Sequence, residues 1–183
     1  MPFNVPTVTT SDISFGPAVV FMGASGNTPS VDVGALSEDG VSIEITSEKK
    51  YISQGNPKMN VYNFSQAQGV VVKFTGIEWD FTNLAYALGA GDTTSSASDD
   101  TFSFGGDPIC TEVAIHIQHY MAVSGNTMNA YIWKACSSEG VSMSFSQDEH
   151  AFEYSFTALR STTDWGSSSL GLKHQLIMLK RLK

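Results

Sequence analysis

The chain has 183 residues, 42% of them hydrophobic, and a net charge of −8 from 10 basic and 18 acidic side chains. That length closes one domain core without metal or disulfide support, and no apolar run reaches the roughly 20 residues of a bilayer-spanning helix. Lys173, Lys180, Arg181 and Lys183 supply four of the ten basic residues, so residues 1–172 carry −12; a body that acidic repels a phosphate backbone and excludes tight nucleic-acid binding.

Residues 1–16 hold Pro2, Pro6 and Gly16 with little periodicity and read as an extended N-terminal arm ahead of a single domain over 17–183. The start, MPFNVPTVTTSD, lacks the basic and apolar regions of a secretory signal, so synthesis and assembly in a cytoplasm are expected. Strand patterns follow at Ala18–Met22, Val41–Thr46, Val70–Ile77, Glu112–Val123, Thr127–Cys136, Val141–Ser146 and His150–Ala158. Turn chemistry separates them at residues 23–27, Glu38-Asp39-Gly40, Ser124-Gly125-Asn126 and Glu139-Gly140. Short strands with regular turns predict a mainly β fold, an antiparallel sandwich or barrel-like arrangement.

Alternation assigns the faces. Val41, Ile43 and Ile45 point to a core with Val141, Met143, Phe145, Phe152, Tyr154 and Phe156. Ser42, Glu44, Ser142, Ser144, Glu153 and Ser155 then form an opposite face of hydroxyls and carboxylates. One short flanking α-helix is predicted over about 80–88: Asp80 is an N-cap, Phe81, Leu84, Ala85 and Leu88 share a face, Gly89 stops it, and Trp79 anchors its start. Residues 90–101, nearly devoid of apolar side chains, read as a mobile surface loop. The basic segment 172–183 fits either a helix, on Leu172, Leu176 and Leu179, or an edge strand.

The chain repeats itself. EDGVSIEIT at 38–46 returns as SEGVSMSFS at 138–146, and each copy leads to an aromatic strand ending Phe-Thr-small. Ile45 to Phe74 spans 29 residues, whereas Phe145 to Phe156 spans 11, leaving 18 more in the first copy. This long inserted loop, 47–66, carries Tyr51, Met59, Tyr62 and Phe64 around Gly55-Asn56-Pro57, beside Lys49, Lys50 and Lys58. Large apolar side chains in a long loop imply a partner that buries them.

No constellation of residues points to catalysis. His116 and His119, three apart on a strand, fall on opposite faces and cannot share a metal ion. Gly23-Ala24-Ser25-Gly26 is a turn rather than a nucleophile elbow, and Asp92, Asp99, Asp100 and Asp107 match no calcium-loop spacing. No cofactor-binding motif is present. Extending the hairpin around Ser124-Gly125-Asn126 sets Cys136 three to five positions from Cys110, ~10–16 Å along a strand. That exceeds the ~7 Å reach of a disulfide. Two reduced thiols are expected, with a bond between neighbouring subunits as the alternative.

Several segments in order carry a family resemblance: Ile13-Ser14-Phe15-Gly16-Pro17; Gly34-Ala35-Leu36 before Asp39-Gly40-Val41; Gln54-Gly55-Asn56-Pro57; Phe74-Thr75-Gly76-Ile77-Glu78-Trp79 leading into Asn83-Leu84-Ala85-Tyr86-Ala87-Leu88-Gly89; and Ile132-Trp133-Lys134-Ala135. Over nearly its whole length the chain resembles the major tail tube proteins of long-tailed bacteriophages. The resemblance implies a β-sandwich flanked by a helix, and hexameric rings stacked into the virion tail tube through which DNA leaves the capsid. Partners would be further copies of itself, tape-measure, tail terminator and baseplate proteins, with a sheath left open; DNA would be in transit only, and no membrane anchor is implied. Lys49, Lys50, Tyr51, Asn56, Pro57, Met59, Tyr62 and Phe64 become ring-stacking candidates, and Ser42, Glu44, Ser142, Ser144, Glu153 and Ser155 candidates for the lumen wall. The N-terminal arm and basic C-terminus would reach neighbouring subunits. The tube protein of a contractile injection or secretion device shares these expectations; a carbohydrate-binding sandwich, using Trp79, Trp133 and Trp165, is the alternative from another class.

Overall fold

A computed structural model describes residues 16–78, 80–106, 109–141 and 151–182. Among the described residues the strands are β1 (Ala18–Ala24), β2 (Val31–Asp32), β3 (Leu36–Gln54), β4 (Met59–Gly76), β5 (Asp92–Ser95), β6 (Asp100–Ser103), β7 (Val113–Met121), β8 (Asn126–Ser137), β9 (Phe152–Ala158) and β10 (Met178–Leu182), with one α-helix, α1 (Phe81–Leu88). The larger sheet is antiparallel, in the order β2-β1-β7-β8-β9-β4-β3. β8 takes β9 along Ala135–Ser137 and β10 along Thr127–Tyr131 on the same edge. The fold is sandwich-like and not closed into a barrel: Ala18 and Ile117 face Val41 and Ile43 across a cavity of about 280 Å³.

Period-two alternation builds the core. Val70, Val72, Phe74 and Gly76 of β4 are buried, as are Phe152, Tyr154, Phe156 and Ala158 of β9. The Phe74 ring stacks on Tyr154, centroids 4.7 Å apart, and lies 6.0 Å from Phe156. Gly76 is needed for close approach, because a Cβ there would stand 2.9 Å from the Tyr154 ring. Each large ring buried from water stabilises the fold by about 1.5–3 kcal/mol.

The helix forms where its signals place it. The Asp80 carboxylate accepts hydrogen bonds from the Thr82 and Asn83 amides, and Gly89 ends the helix at φ 63°, its amide donating to the Tyr86 carbonyl. The buried face differs from the expected one: Asn83, Leu84 and Ala87 are covered, and Asn83 Nδ2 donates to the Val33 carbonyl at 3.1 Å. That bond draws a polar residue inward and turns Ala85 partly outward. Trp79 and the second repeat strand, Val141–Ser146, fall on or extend into segments outside the described residues, apart from Val141, which packs against the core.

Three expectations are corrected, and the choice left open at the C-terminus is decided. The 47–66 insertion is no loop but the outer part of the β3–β4 ladder, paired through Gln54↔Met59. Residues 92–103 form the β5–β6 hairpin, closed by the Ser96 and Asp99 turn. At the C-terminus the edge strand prevails, with a single 3-10 turn at Leu172–His174 preceding β10. Finally, Cys110 and Cys136 are joined within the chain, Cα atoms 6.3 Å apart. A bulge between Val113 and Ile115 advances Ala135 to pair with Val113. Cys110, moreover, lies outside the strand: the Thr111 amide bonds to the Gly89 carbonyl.

Phe156→Ala empties a site at 0% exposure and is expected to cost about 3–5 kcal/mol in denaturant unfolding. A cost under about 1 kcal/mol would show that the ring does not occupy the core. Replacing both cysteines by serine, which opens a 26-residue loop, should cost a further ~2–4 kcal/mol.

Candidate assembly ribbon and charged sheet face

From about Ser47 onward β3 and β4 pair only with each other, so the ladder leaves the sheet as a two-stranded ribbon. Eight residues of β3 beyond the sheet reach roughly 26 Å. The tip turns at Gly55, φ 99°, and a cis Asn56–Pro57 bond. Ser53 Oγ donates to Asn60 Oδ1 at 2.6 Å, and the Ser47 and Ser65 hydroxyls meet at 3.2 Å.

Register makes the ribbon two-faced. Lys50↔Phe64 and Ile52↔Tyr62 are cross-strand partners. Between Ile52 and Ser53 the register shifts, with Val61 the extra residue on β4, and Gln54 then pairs Met59. The bulge therefore brings Met59 onto the same face as Ile52, Tyr62 and Phe64. Met59 and Tyr62 are each 65% exposed. Lys49, Tyr51, Asn60 and Asn63 hold the other, more polar face. All the ring-stacking candidates, Lys49, Lys50, Tyr51, Asn56, Pro57, Met59, Tyr62 and Phe64, are thus on the ribbon and exposed. Ile52 was not among them; strict alternation sets it with Tyr62 and Phe64, but only once the segment is read as a strand pair.

Closer to the sheet, Ile45 departs from the core expected for it and is 58% exposed. It pairs with buried Val70 but borders an opening that Leu172, Leu176 and Ile177 also line.

The lumen candidates are only partly gathered. Ser42↔Lys73, Lys73↔Ser155 and Thr75↔Glu153 place Ser42, Glu44, Glu153 and Ser155 on one face with Lys73 at its centre. Ser142 and Ser144 lie outside the described residues. Ser155 is covered, at 2% exposure, with its hydroxyl 2.9 Å from that of Ser138; it is not open to solvent on this face. Lys73, a cation that alternation should have flagged, is ion-paired to Glu139 at 2.9 Å. The Glu139 hydrogen bond raises the Lys73 pKa, with Glu153 and Glu44 adding to the effect, and the same bond holds Glu139 below its ordinary value. The face is net acidic with its one central cation neutralised.

The far side of β7 and β8 carries a second, aromatic cluster. His116 stacks on Tyr131 at 4.7 Å, its Nε2 2.9 Å from Asn129 Oδ1, and Trp165 leans over both. Trp133, 4% exposed, lies beneath Trp165. His119 faces away from His116, its Nδ1 3.1 Å from the Pro17 carbonyl oxygen. Among the described residues no three His, Cys, Asp or Glu side chains gather as a metal site. The Asp99 carboxyl is held below its ordinary pKa by hydrogen bonds from the Ser96 and then the Ser98 hydroxyl. No helix of the described residues is long and apolar enough to cross a membrane. The chain matches no protein-family model and no curated protein sequence.

Because Ile52 and Tyr62 are exposed, replacing both by serine is expected to change unfolding free energy by less than about 0.5 kcal/mol per site. Binding of a hydrophobic fluorescent dye should fall. A loss of several kcal/mol would mean that the ribbon packs on its own domain.

Proposed function

We propose that this chain is a phage tail tube protein, assembling as hexameric rings that stack into the conduit for viral DNA in the virion tail. The single observation that carries the reading is the β3–β4 ribbon, which projects from a complete core with Ile52, Met59, Tyr62 and Phe64 on one exposed face. An isolated two-stranded hairpin is marginal in water, and exposed apolar faces of this kind mark contact sites. The occupant that fits is the next ring of the same protein.

The charged face supports the same reading. A conduit for DNA must not hold phosphate, since fixed cations would retain the polymer. Glu44, Glu139 and Glu153 surround Lys73 and leave no unneutralised cation at the centre of that face. Tape-measure, terminator and baseplate proteins would meet the tube at its ends or within it. A carbohydrate-binding module fits less well: Trp133 is buried beneath Trp165 and offers no flat exposed platform for a sugar ring.

The test replaces residues 50–64 by an Asn-Gly turn that joins the paired Lys49 and Ser65. Wild type is expected to form rings and tubes by sedimentation velocity and negative-stain microscopy, and the shortened chain to remain folded without stacking. A wild type that stays monomeric at high concentration overturns the proposal; unchanged tube growth removes the ribbon from the stacking contact.

Glu44→Lys with Glu153→Lys tests the conduit wall. Tubes of this variant should retain short linear duplex in co-sedimentation, weakening steeply with salt, while wild-type tubes do not. Closed circular DNA, which cannot thread a tube end, should not be retained. Equal retention of both forms would place these residues on the outer wall.

A further inference from the structure

A cavity among the described residues has a character opposite to that of the acidic chain. About 510 Å³ in volume, it lies between the Ser25-Gly26 turn, the end of β8 and the segment after β9, and it is lined by Trp133, Trp165, Lys134 and Arg160. The segment is fastened at two points: the Leu159 amide bonds to the Lys134 carbonyl of β8, and the Ser161 amide to the Gln175 carbonyl ahead of β10. Lys134 is ion-paired to Glu112 at 2.8 Å. Arg160 is exposed and has no ion-pair partner among the described residues. The Trp165 indole N–H, enclosed in the wall, has no acceptor among them either.

The complementary surface is the β5–β6 hairpin. Asp92, Asp99 and Asp100 are exposed on it and make no salt bridge among the described residues. The Ser96 and Ser98 hydroxyls fix its turn by bonding to Asp99. Phe102 sits 6.2 Å from Phe81 of α1 and packs against the core cluster. The hairpin therefore sits on the α1 side of the sheet. Trp133 points to the other side, since its neighbour Ile132 is in the core with Leu84 of α1. The two patches are on opposite sides of one sheet, so a single chain cannot bring them together.

We propose that the Trp165 and Arg160 cavity receives the acidic β5–β6 hairpin of a second copy of this chain, in a head-to-tail contact. A heterologous contact of this kind leaves one free donor and one free acceptor on each chain, and repeats until a ring closes. The inference rests on the assembly reading above and names the side-by-side contact within a ring, distinct from the ribbon contact between rings. Opposite charges steer the encounter and set its register, while the indoles supply apolar contact area around the ion pair.

Sedimentation velocity on wild type, Arg160→Glu, Asp100→Lys and the double variant decides it, with circular dichroism to check folding of these exposed positions. Each single reversal should raise the concentration for half-assembly at least about tenfold, and the double variant should recover to within about threefold of wild type. Single variants that assemble like wild type, or a double variant no better than the singles, overturn the inference and leave the assembly reading standing. A wild type that never assembles overturns both. Rings that form with loss of stacking only in the ribbon variant, and unaltered in both charge variants, would put the lateral contact elsewhere.

Discussion

The stack of Phe74 on Tyr154 and Phe156 is the interaction from which the rest of the molecule extends. It fixes β4 against β9 over Val71–Gly76, and the alternation established there continues along an 18-residue strand whose other half has no sheet beneath it. A strand of which half is buried can hold the remainder in a set register without a core of its own. The ribbon is a cantilever, and the aromatic stack is its fixed end.

Three surfaces follow from that arrangement, separated by the geometry of a sheet. One side of β3, β4 and β9 presents Glu44, Glu153 and the paired Lys73. Beyond the sheet the ribbon gathers Ile52, Met59, Tyr62 and Phe64 on one face. Across β7 and β8, the indoles and Arg160 face away from α1 and the acidic β5–β6 hairpin. In the proposed assembly these would serve passage, stacking and lateral contact in turn. Separation matters physically: surfaces that cannot meet within one chain leave contacts for other copies to satisfy.

Much of this was legible in the residues and part was not, for identifiable reasons. Burial writes itself into alternation, so Val70–Phe74, Phe152–Phe156 and the capped helix were readable from spacing. The ribbon reads as a loop because both of its faces are exposed and no buried stripe marks it as strand; its pairing is set by the neighbouring strand. The Val61 bulge then shifts Met59 to the face of Tyr62, which no alternation rule anticipates. Ile45 reads as core because the strand alternates through it, yet it borders an opening beside Leu172, Leu176 and Ile177 and is 58% exposed. The disulfide is hidden from a straight extension of β7 past Val113, because the chain turns there toward Gly89. Ser155 alternated outward correctly, yet the Ser138 segment lies over it, a tertiary contact with no local signal.

The central claim is that the apolar face of the ribbon is an assembly surface between successive rings. An electron cryo-microscopy reconstruction of the assembled protein tests it most directly. The account predicts that Ile52, Met59, Tyr62 and Phe64 are buried at the seam between rings, against the adjacent ring. A reconstruction with these side chains exposed on the outer surface, or folded back on their own subunit, would contradict it.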